Sequence, residues 1–387
     1  MAVTSEAPRK HSDMFISENG EIEAAIAYRV IQIAKYVMKL ADIDCSVGST
    51  RMNLAERNYA LALMCFQLAN EDPSINTEIA TSMALIYPST GDVEEHTLEQ
   101  LPLDIFDSFG LSPLPNTEPS SISELVGVYP EIPAGADEEI VRAQAFVDNI
   151  ARVVLPHAFR AIESETEGAT QYSSPLSPEI LQIAEFVLQF REQKRAIYYG
   201  KEKIENDVEH SLMLAIAALY LAVEVFPDNM DTLKLVIQGL VHDMTEVVDG
   251  DVASWTLTVE EHHKKSAKEA EGLVETLNKI PGIIGEQLAE YSTHSSPEAR
   301  FLRVLDKVLP LAVRLLAEIA IVRSALQNQY GLSGIDSYRE SEEEYLRTFF
   351  EKFKETEGAK WTEVLLRARG VMIGVLMERL AKLFASE

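Results

Sequence analysis

Apolar residues recur along most of the chain at intervals of three and four residues, which is the period of an amphipathic α-helix. The first such stretch, Glu21–Leu40, places Ile26, Val30 and Ile33 on one face. The same period predicts further helices over Met52–Ala69, Thr77–Ile86, Asp137–Glu163, Pro178–Tyr198, Val208–Val225, Met230–Val247, Val259–Leu277, Gly285–Tyr291, Pro297–Leu326, Glu340–Glu355 and Trp361–Phe384. Strands are hard to find, so we predict an all-α fold.

An internal repeat divides the chain into two similar parts. Ile31–Leu40 parallels Leu181–Phe190, and Asn53–Glu56 parallels Asn206–Glu209, at shifts of 150 and 153 residues. Leu68-Ala69 and Val154–Arg160 have similar counterparts 153 and 154 residues later. We therefore predict tandem helical domains with these boundaries: a flexible N-terminus (1–20), a first copy (21–166), a linker (167–177), a second copy (178–330) and a C-terminal helical extension (331–387).

Composition narrows the range of partners. With 387 residues and 47% hydrophobic content, the chain can bury a sizeable core. Its net charge of −28 argues against a nucleic-acid partner, although small phosphates bridged by a metal ion remain compatible. The start has no basic segment followed by an apolar one, and no apolar run approaches the roughly 20 residues that span a bilayer. We expect a cytoplasmic protein without a membrane partner, in which Cys45 and Cys65 are ordinary thiols.

The candidate chemistry lies in the second copy. His242 and Asp243 are adjacent, so on a helix they diverge by about 100° and can share one ion only at a helix end that faces a cleft. Further ligands must come from elsewhere, and His210 and Asp306 are the candidates. Two imidazoles and two carboxylates suit a divalent ion and leave positions open for water and phosphate. This combination indicates a hydrolytic site.

Three sequence blocks carry a family resemblance: Glu209-His210-Ser211, then His242-Asp243 with Glu246 and Gly250-Asp251, then Glu298-Ala299-Arg300 with Leu305-Asp306-Lys307. In this order they resemble the HD-domain metal-dependent phosphohydrolases, and most closely the 5′-deoxynucleotidase branch. The resemblance covers about residues 177–330. It implies that His210, His242, Asp243 and Asp306 bind a divalent ion, which we expect to be Mn, Co, Mg or Zn.

The resemblance also implies roles for residues around the ion. Glu246 and Asp251 would hold and activate water or protonate the leaving oxygen. Arg195 stands where that branch has a substrate-contacting Arg, and Lys307, next to the last ligand, is a candidate contact for phosphate. Ala196 departs from the family, which has Trp at this position, so the preference for deoxyribose stays open.

The first copy lacks these ligands. Arg57 falls at the position of His210, Tyr87-Pro88 falls roughly at His242-Asp243, and Arg152 falls at the position of Asp306. Because arginine cannot ligate a cation, we predict a degenerate copy without metal and with a structural or regulatory role. It would occupy the place of a second subunit and give a monomer with an internal pseudo-dimer; a homodimer is the alternative.

The expected function is hydrolysis of a small phosphate ester, specifically of (deoxy)nucleoside 5′-monophosphates. One alternative keeps the metal site but hydrolyses a different bond, which would release triphosphate from a deoxynucleotide or cleave another small phosphoester. A second alternative, from a different class, is a nucleotide-sensing regulatory or scaffold protein.

Overall fold

The computed structural model describes residues 21–87, 137–166, 176–199, 203–224, 230–250, 268, 270–330, 337–338, 340 and 359–385. Its first part comprises α1 (Glu21–Ala41), β1 (Asp44–Val47), β2 (Thr50–Asn53), α2 (Leu54–Glu71), α3 (Thr77–Leu85), α4 (Glu138–Asn149), a π-helical turn (Ile150–Val154) and α5 (Leu155–Thr166). The later part comprises α6 (Pro178–Phe190), β3 (Lys194–Tyr199), β4 (Lys203–Asn206), α7 (Asp207–Glu224), α8 (Thr232–Val241), α9 (Glu246–Asp249), α10 (Gly282–Thr293), α11 (Pro297–Leu316), α12 (Ile319–Tyr330) and α13 (Ala359–Ala385). The prediction of an all-α class is confirmed, because the strands form only two small pairs among the described residues.

Those two pairs are antiparallel hairpins that the apolar period does not predict. β1 pairs with β2, and β3 pairs with β4. The predicted helix Pro178–Tyr198 is therefore wrong in its last part, because α6 ends at Phe190 and β3 begins at Lys194. Strands of four to six residues are too short to show a clear period, and only pairing with a partner strand satisfies their backbone.

Two other predicted helices are interrupted. Pro297–Leu326 is two helices, separated where Ala317 adopts an extended conformation with φ −72° and ψ 160°. Met230–Val247 is likewise divided, because α8 ends at Val241 and residues 242–245 form turns before the short α9. This second break places His242 and Asp243 at a helix end, as the adjacent ligands require.

The core is built on α2 and α7, which pack against each other. All residues from Tyr59 to Cys65 and from Val208 to Ala218 are buried. α13 packs against α1 and α11, and its Leu365, Met372 and Leu376 are fully buried. Each such side chain contributes about 1.5–3 kcal/mol by leaving water. The predicted C-terminal extension therefore belongs to the core along this helix and is not only a solvated face.

The two parts share an order of elements and a capping pattern. Each has a helix, a hairpin and two further helices: α1 to α3 in the first part and α6 to α8 in the second. At the start of α2, Asn53 and Glu56 bond to each other's backbone N–H. At the start of α7, Asn206 and Glu209 form the same pair of bonds. This is the correspondence expected of tandem copies, whose boundaries remain a prediction.

Several predicted segments lie outside the described residues. They are the N-terminus 1–20, most of the linker 167–177, and nearly all of the predicted helix Glu340–Glu355. Among the residues that are described, no helix has both the length and the apolar character needed to cross a bilayer.

The turn of the first hairpin generates a prediction about stability. Gly48 has φ 67°, and a Cβ there would lie 2.8 Å from the carbonyl oxygen of Pro156. Gly48→Ala should lower the free energy of unfolding by about 1–3 kcal/mol, because the left-handed backbone and the close contact both disfavour a side chain. Urea denaturation measures this change in the free energy of unfolding.

Gly370 provides the matched control, because it lies inside α13 and a Cβ added there would meet no neighbouring described residue within 4 Å. Gly370→Ala should raise the free energy of unfolding by about 0.5–1 kcal/mol, since alanine loses less backbone entropy in a helix. Equal effects of the two substitutions would contradict this account of Gly48.

Candidate metal centre

His210 and Asp306 meet across two long helices. His210 lies in the first turn of α7 and Asp306 lies midway along α11. The Nε2 atom of His210 is 2.9 Å from Oδ1 of Asp306, and both residues are buried. The two helices therefore bring one imidazole and one carboxylate to a common point inside the protein.

His242 joins them from the end of α8. Its Nδ1 lies 2.9 Å from the carbonyl oxygen of Gly239, which can only accept a hydrogen bond, so Nδ1 carries a proton and Nε2 is the ring atom that faces the cluster. Close packing of α8 on α7 depends on Gly239, where a Cβ would lie 3.0 Å from the Cα of Ala215. As a result the rings of His210 and His242 lie 5.3 Å apart, centroid to centroid.

Asp243 completes the cluster. Its Oδ2 is 2.9 Å from Nε2 of His242, and that nitrogen is 3.9 Å from Oδ1 of Asp306. One ligand atom from each of His210, His242, Asp243 and Asp306 lies within 4.8 Å of all the others. Atoms about 2.0–2.2 Å from a shared ion lie roughly 3–4 Å apart, so these side chains fit a divalent ion. The structure thus brings the four predicted ligands together.

The charges of the cluster suit a cation. Burial tends to raise the pKa of Asp306, but Lys307 and His210 outweigh it and hold that pKa well below its usual range. The pKa of Asp243 is likewise held low, by His242 and Arg195 against the effect of burial. Burial and Arg195 lower the pKa of His210, yet its hydrogen bonds with Asp306 and Glu205 raise it to about 9. Because a ligating imidazole must be neutral, binding of an ion here would release that proton.

The two predicted substrate contacts adjoin the ligands. Arg195, on β3, places Nη1 2.6 Å from Oδ2 of Asp243 and 3.4 Å from Oδ1 of Asp207. Lys307 places Nζ 2.5 Å from Oδ2 of Asp306. Each cation therefore forms an ion pair with a candidate ligand in this structure, and contact of either with a substrate remains a prediction.

One of the two predicted catalytic carboxylates can be located. Glu246 begins α9 and forms a second acidic group with Asp207 and Asp243, whose carboxylate oxygens lie within 4.8 Å of one another. Because Asp243 belongs to both groups, Glu246 lies beside the candidate metal centre, and its catalytic role remains a prediction. Asp251 lies outside the described residues.

The sequence motifs do not identify three residues that surround the cluster. Glu205 is fully buried and its Oε1 lies 3.5 Å from Nδ1 of His210. Asp207 faces Arg195, and the ring of Tyr291 meets that of His242 edge-on at 6.0 Å. The two acids stand within five residues of His210, which is a usable signal; nothing local connects Tyr291 with the site.

Comparison with known proteins agrees with this geometry. Residues 187–355 match the family model described as HD domain. A curated human protein, 5′-deoxynucleotidase HDDC2, is 28% identical over 135 residues, which are 33% of this chain and 63% of the human one. The bovine protein of the same name is 30% identical over 135 residues, 33% of this chain and 62% of its own. The chain thus spans just under two thirds of the length of these relatives.

The comparison of structures adds one neighbour. A crystal structure described as a predicted metal-dependent phosphohydrolase from Magnetospirillum magnetotacticum MS-1 aligns with a TM-score of 0.39 and 17% identity. It covers 52% of this chain and 94% of that one.

The buried His/Asp cluster lies within the residues that match the HD-domain family model. Together with the family match, it supports placing residues 187–355 in the HD superfamily, near the 5′-deoxynucleotidase branch. The resemblance carried by the three sequence blocks is confirmed to this extent.

The ligand set generates a prediction that needs no substrate. Asp306→Ala should weaken binding of Mn²⁺ or Co²⁺ at least about 100-fold, because it removes a charged oxygen ligand and the partner of His210. Elemental analysis after desalting and calorimetric titration of the metal-free protein measure this.

Asp148→Ala is the control, since Asp148 is also a helical, hydrogen-bonded carboxylate but belongs to neither acidic cluster of the described residues. It should leave the metal content unchanged. An Asp306→Ala protein that retains as much ion as the parent would remove Asp306 from the ligand set.

Proposed function

We propose that this chain is a divalent-metal-dependent phosphomonoesterase that hydrolyses (deoxy)nucleoside 5′-monophosphates. The coarser assignment, an HD-type phosphohydrolase, has the support of the family match. The observation that carries the proposal is the convergence, within 4.8 Å, of His210 from α7, His242 and Asp243 from the turn after α8, and Asp306 from α11. Such a set holds an ion firmly while leaving coordination positions for water and a phosphoryl oxygen.

The reaction needs an electrophile, a proton acceptor and compensation for phosphate charge. A divalent ion, when bound, polarises a phosphoryl oxygen and lowers the pKa of water. Glu246, which shares an acidic group with the candidate ligand Asp243, would accept the proton of the attacking water, and Asp251 is the remaining candidate for protonating the leaving oxygen. Arg195 and Lys307 offset negative charge at the ligands and would do the same for a phosphate group.

The choice of substrate rests on two supports of different kinds. The human and bovine relatives are named 5′-deoxynucleotidases, and the HD-domain family model matches residues 187–355, which contain the cluster. The protein's charge of −28 also favours a small substrate over a polyanion. Ala196, where the family has Trp, makes sugar preference a question for a panel of nucleotides.

Such a panel tests the proposal directly. Metal-free protein is supplied separately with Mn, Co, Mg or Zn and offered 5′-mono- and triphosphates of ribo- and deoxyribonucleosides, with 3′-monophosphates as controls. We expect inorganic phosphate from 5′-monophosphates only, and loss of turnover on chelation. Triphosphate as the product would identify a triphosphohydrolase instead, and nucleotide binding without turnover would identify a sensor.

Glu246 generates a second prediction. Glu246→Gln should lower kcat about 10²–10⁴-fold while metal content is retained, because the amide keeps the shape of the side chain but cannot accept the proton. Steady-state kinetics on the best substrate of the panel measures this.

Glu275→Gln is the matched control, since Glu275 is exposed and pairs only with Lys279 one turn away among the contacts of the described residues. Its kcat should equal that of the parent protein. An unchanged kcat in Glu246→Gln would exclude Glu246 as the proton acceptor.

A further inference from the structure

Helix α2, in the first part of the chain, reaches the two segments of the second part that carry the candidate ligands His210 and His242. Asn53, at its start, donates an amide hydrogen to Oε1 of Glu209 at 2.8 Å. The hydroxyl of Tyr59 donates to the carbonyl oxygen of Leu240 at 2.9 Å. Glu209 immediately precedes His210, and Leu240 lies two residues before His242. One helix therefore contacts the chain next to each imidazole of the cluster.

The contact at Glu209 has a mirror contact. Asn206 donates its amide hydrogen to Oε1 of Glu56 at 2.9 Å, while Asn53 donates to Glu209. Asn53 and Asn206 are equivalent N-caps, 153 residues apart, and Glu56 and Glu209 are equivalent third residues of their helices. A pattern in which residue i contacts j′ and residue j contacts i′ is that of a two-fold interface. Here both faces of such an interface belong to one chain.

The contact at Leu240 stabilises the turn that aims His242. The last four carbonyl groups of a helix have no partner within it, and that of Leu240 is one of them in α8. Tyr59 is fully buried, packs its ring 5.9 Å from that of Phe190, and satisfies this carbonyl. The neighbouring Gly239 carbonyl accepts from the His242 ring. Two adjacent carbonyl groups at the end of α8 are thus hydrogen-bonded: that of Gly239 by the ring of His242, and that of Leu240 by Tyr59 from the first part of the chain.

The equivalent position in the first part is closed to a metal ion. Arg57, at the position of His210, donates to the carbonyl oxygen of Tyr87 at 2.7 Å and to Oδ1 of Asn58. Its guanidinium lies over the Tyr87 ring, 5.5 Å from the centroid. Tyr87 follows α3 as His242 follows α8, 155 residues later, and the N-caps Asn76 and Asp231 have the same offset. The guanidinium group of Arg57 therefore occupies the position that corresponds to the candidate metal centre of the second part.

We propose that the first part of the chain is a built-in partner subunit, in which Asn53 and Tyr59 of α2 are positioning residues for the metal centre. Asn53 acts through the side chain of Glu209, which adjoins His210, and Tyr59 acts through the carbonyl group of Leu240, two residues before His242. Neither residue would touch the ion or the substrate. The inference rests on the proposed function only in taking these two histidines as ligands. It predicts that α2 changes metal affinity without changing the ligands.

Tyr59→Phe in the full chain is the first test, because it removes only the hydroxyl and keeps the buried ring. The dissociation constant for Co²⁺, followed by its visible absorption and by calorimetry, should rise about 10–100-fold, as for other residues that orient metal ligands. Tyr87→Phe is the matched control, since it removes a hydroxyl that donates to Asp148 in the first part. Its Co²⁺ affinity and spectrum should equal those of the parent protein.

Asn53→Ser is the second test and separates the two roles of Asn53. Serine still caps α2, but its shorter side chain lacks the separate NH2 group with which Asn53 donates to Glu209. We expect Co²⁺ affinity to fall several-fold and the Co²⁺ absorption bands to shift. Asn76→Ser is the control with the same bonding pattern, because Asn76 caps α3 and donates to Glu139 at 2.9 Å. It should cost similar thermal stability without a change in metal affinity.

The outcomes separate this inference from the proposed function. If the parent protein binds Co²⁺ and both α2 variants bind it equally well, the positioning role is overturned while the phosphohydrolase proposal stands. If the variants weaken binding but no phosphate ester is hydrolysed, the positioning role stands and the proposed function is overturned. If the parent protein binds no divalent ion, both are overturned.

Discussion

The burial of several charges at one point is the constraint on which this structure depends. Glu205 and Asp207 are fully buried, Asp306 is nearly so, and all three lie around the first turn of α7. An unpaired buried carboxylate costs several kcal/mol, so each must have a compensating positive charge. Arg195 and Lys307 supply two such charges. A divalent ion at the His/Asp cluster would supply the largest one.

This constraint accounts for elements that are otherwise puzzling in an all-helical protein. The β3–β4 hairpin carries Arg195 on one strand and Glu205 on the other, and delivers them to the same side of α7. Gly239 lets α8 approach α7 closely, so that the imidazoles of His210 and His242 lie near enough to bind the same ion. At the far side, α13 donates from Arg369 to the carbonyl oxygen of Lys307, which ties the C-terminal helix to the helix that carries Asp306.

In the arrangement we propose, the two parts of the chain would divide the roles that two identical subunits share. In a symmetric dimer both centres must keep their ligands, because each subunit has the same sequence. Joining the copies in one chain releases one of them from that requirement. In this proposal Arg57 stands at the position that corresponds to the candidate ligand His210, while the caps Asn53 and Asn206 form the reciprocal bonds between the two parts. Loss of one centre and retention of the interface are compatible for this reason.

The sequence by itself determined the helical class and the candidate ligands. Helical periods repeat within a few residues, and His210, His242, Asp243 and Asp306 stand in short blocks that resemble those of the HD-domain phosphohydrolases. Both are local signals, so no knowledge of the fold is needed to find them.

Only the tertiary structure decided how those ligands are held. The hairpins depend on pairing between strands too short to have a pattern, and the ends of α6 and α8 depend on the elements that pack beside them. The bond from Tyr59 to Leu240 joins residues 181 positions apart. Contacts of this kind form when separate helices pack against each other. Their energy depends on distance in space, so they produce no regular residue spacing that could be recognised in the sequence.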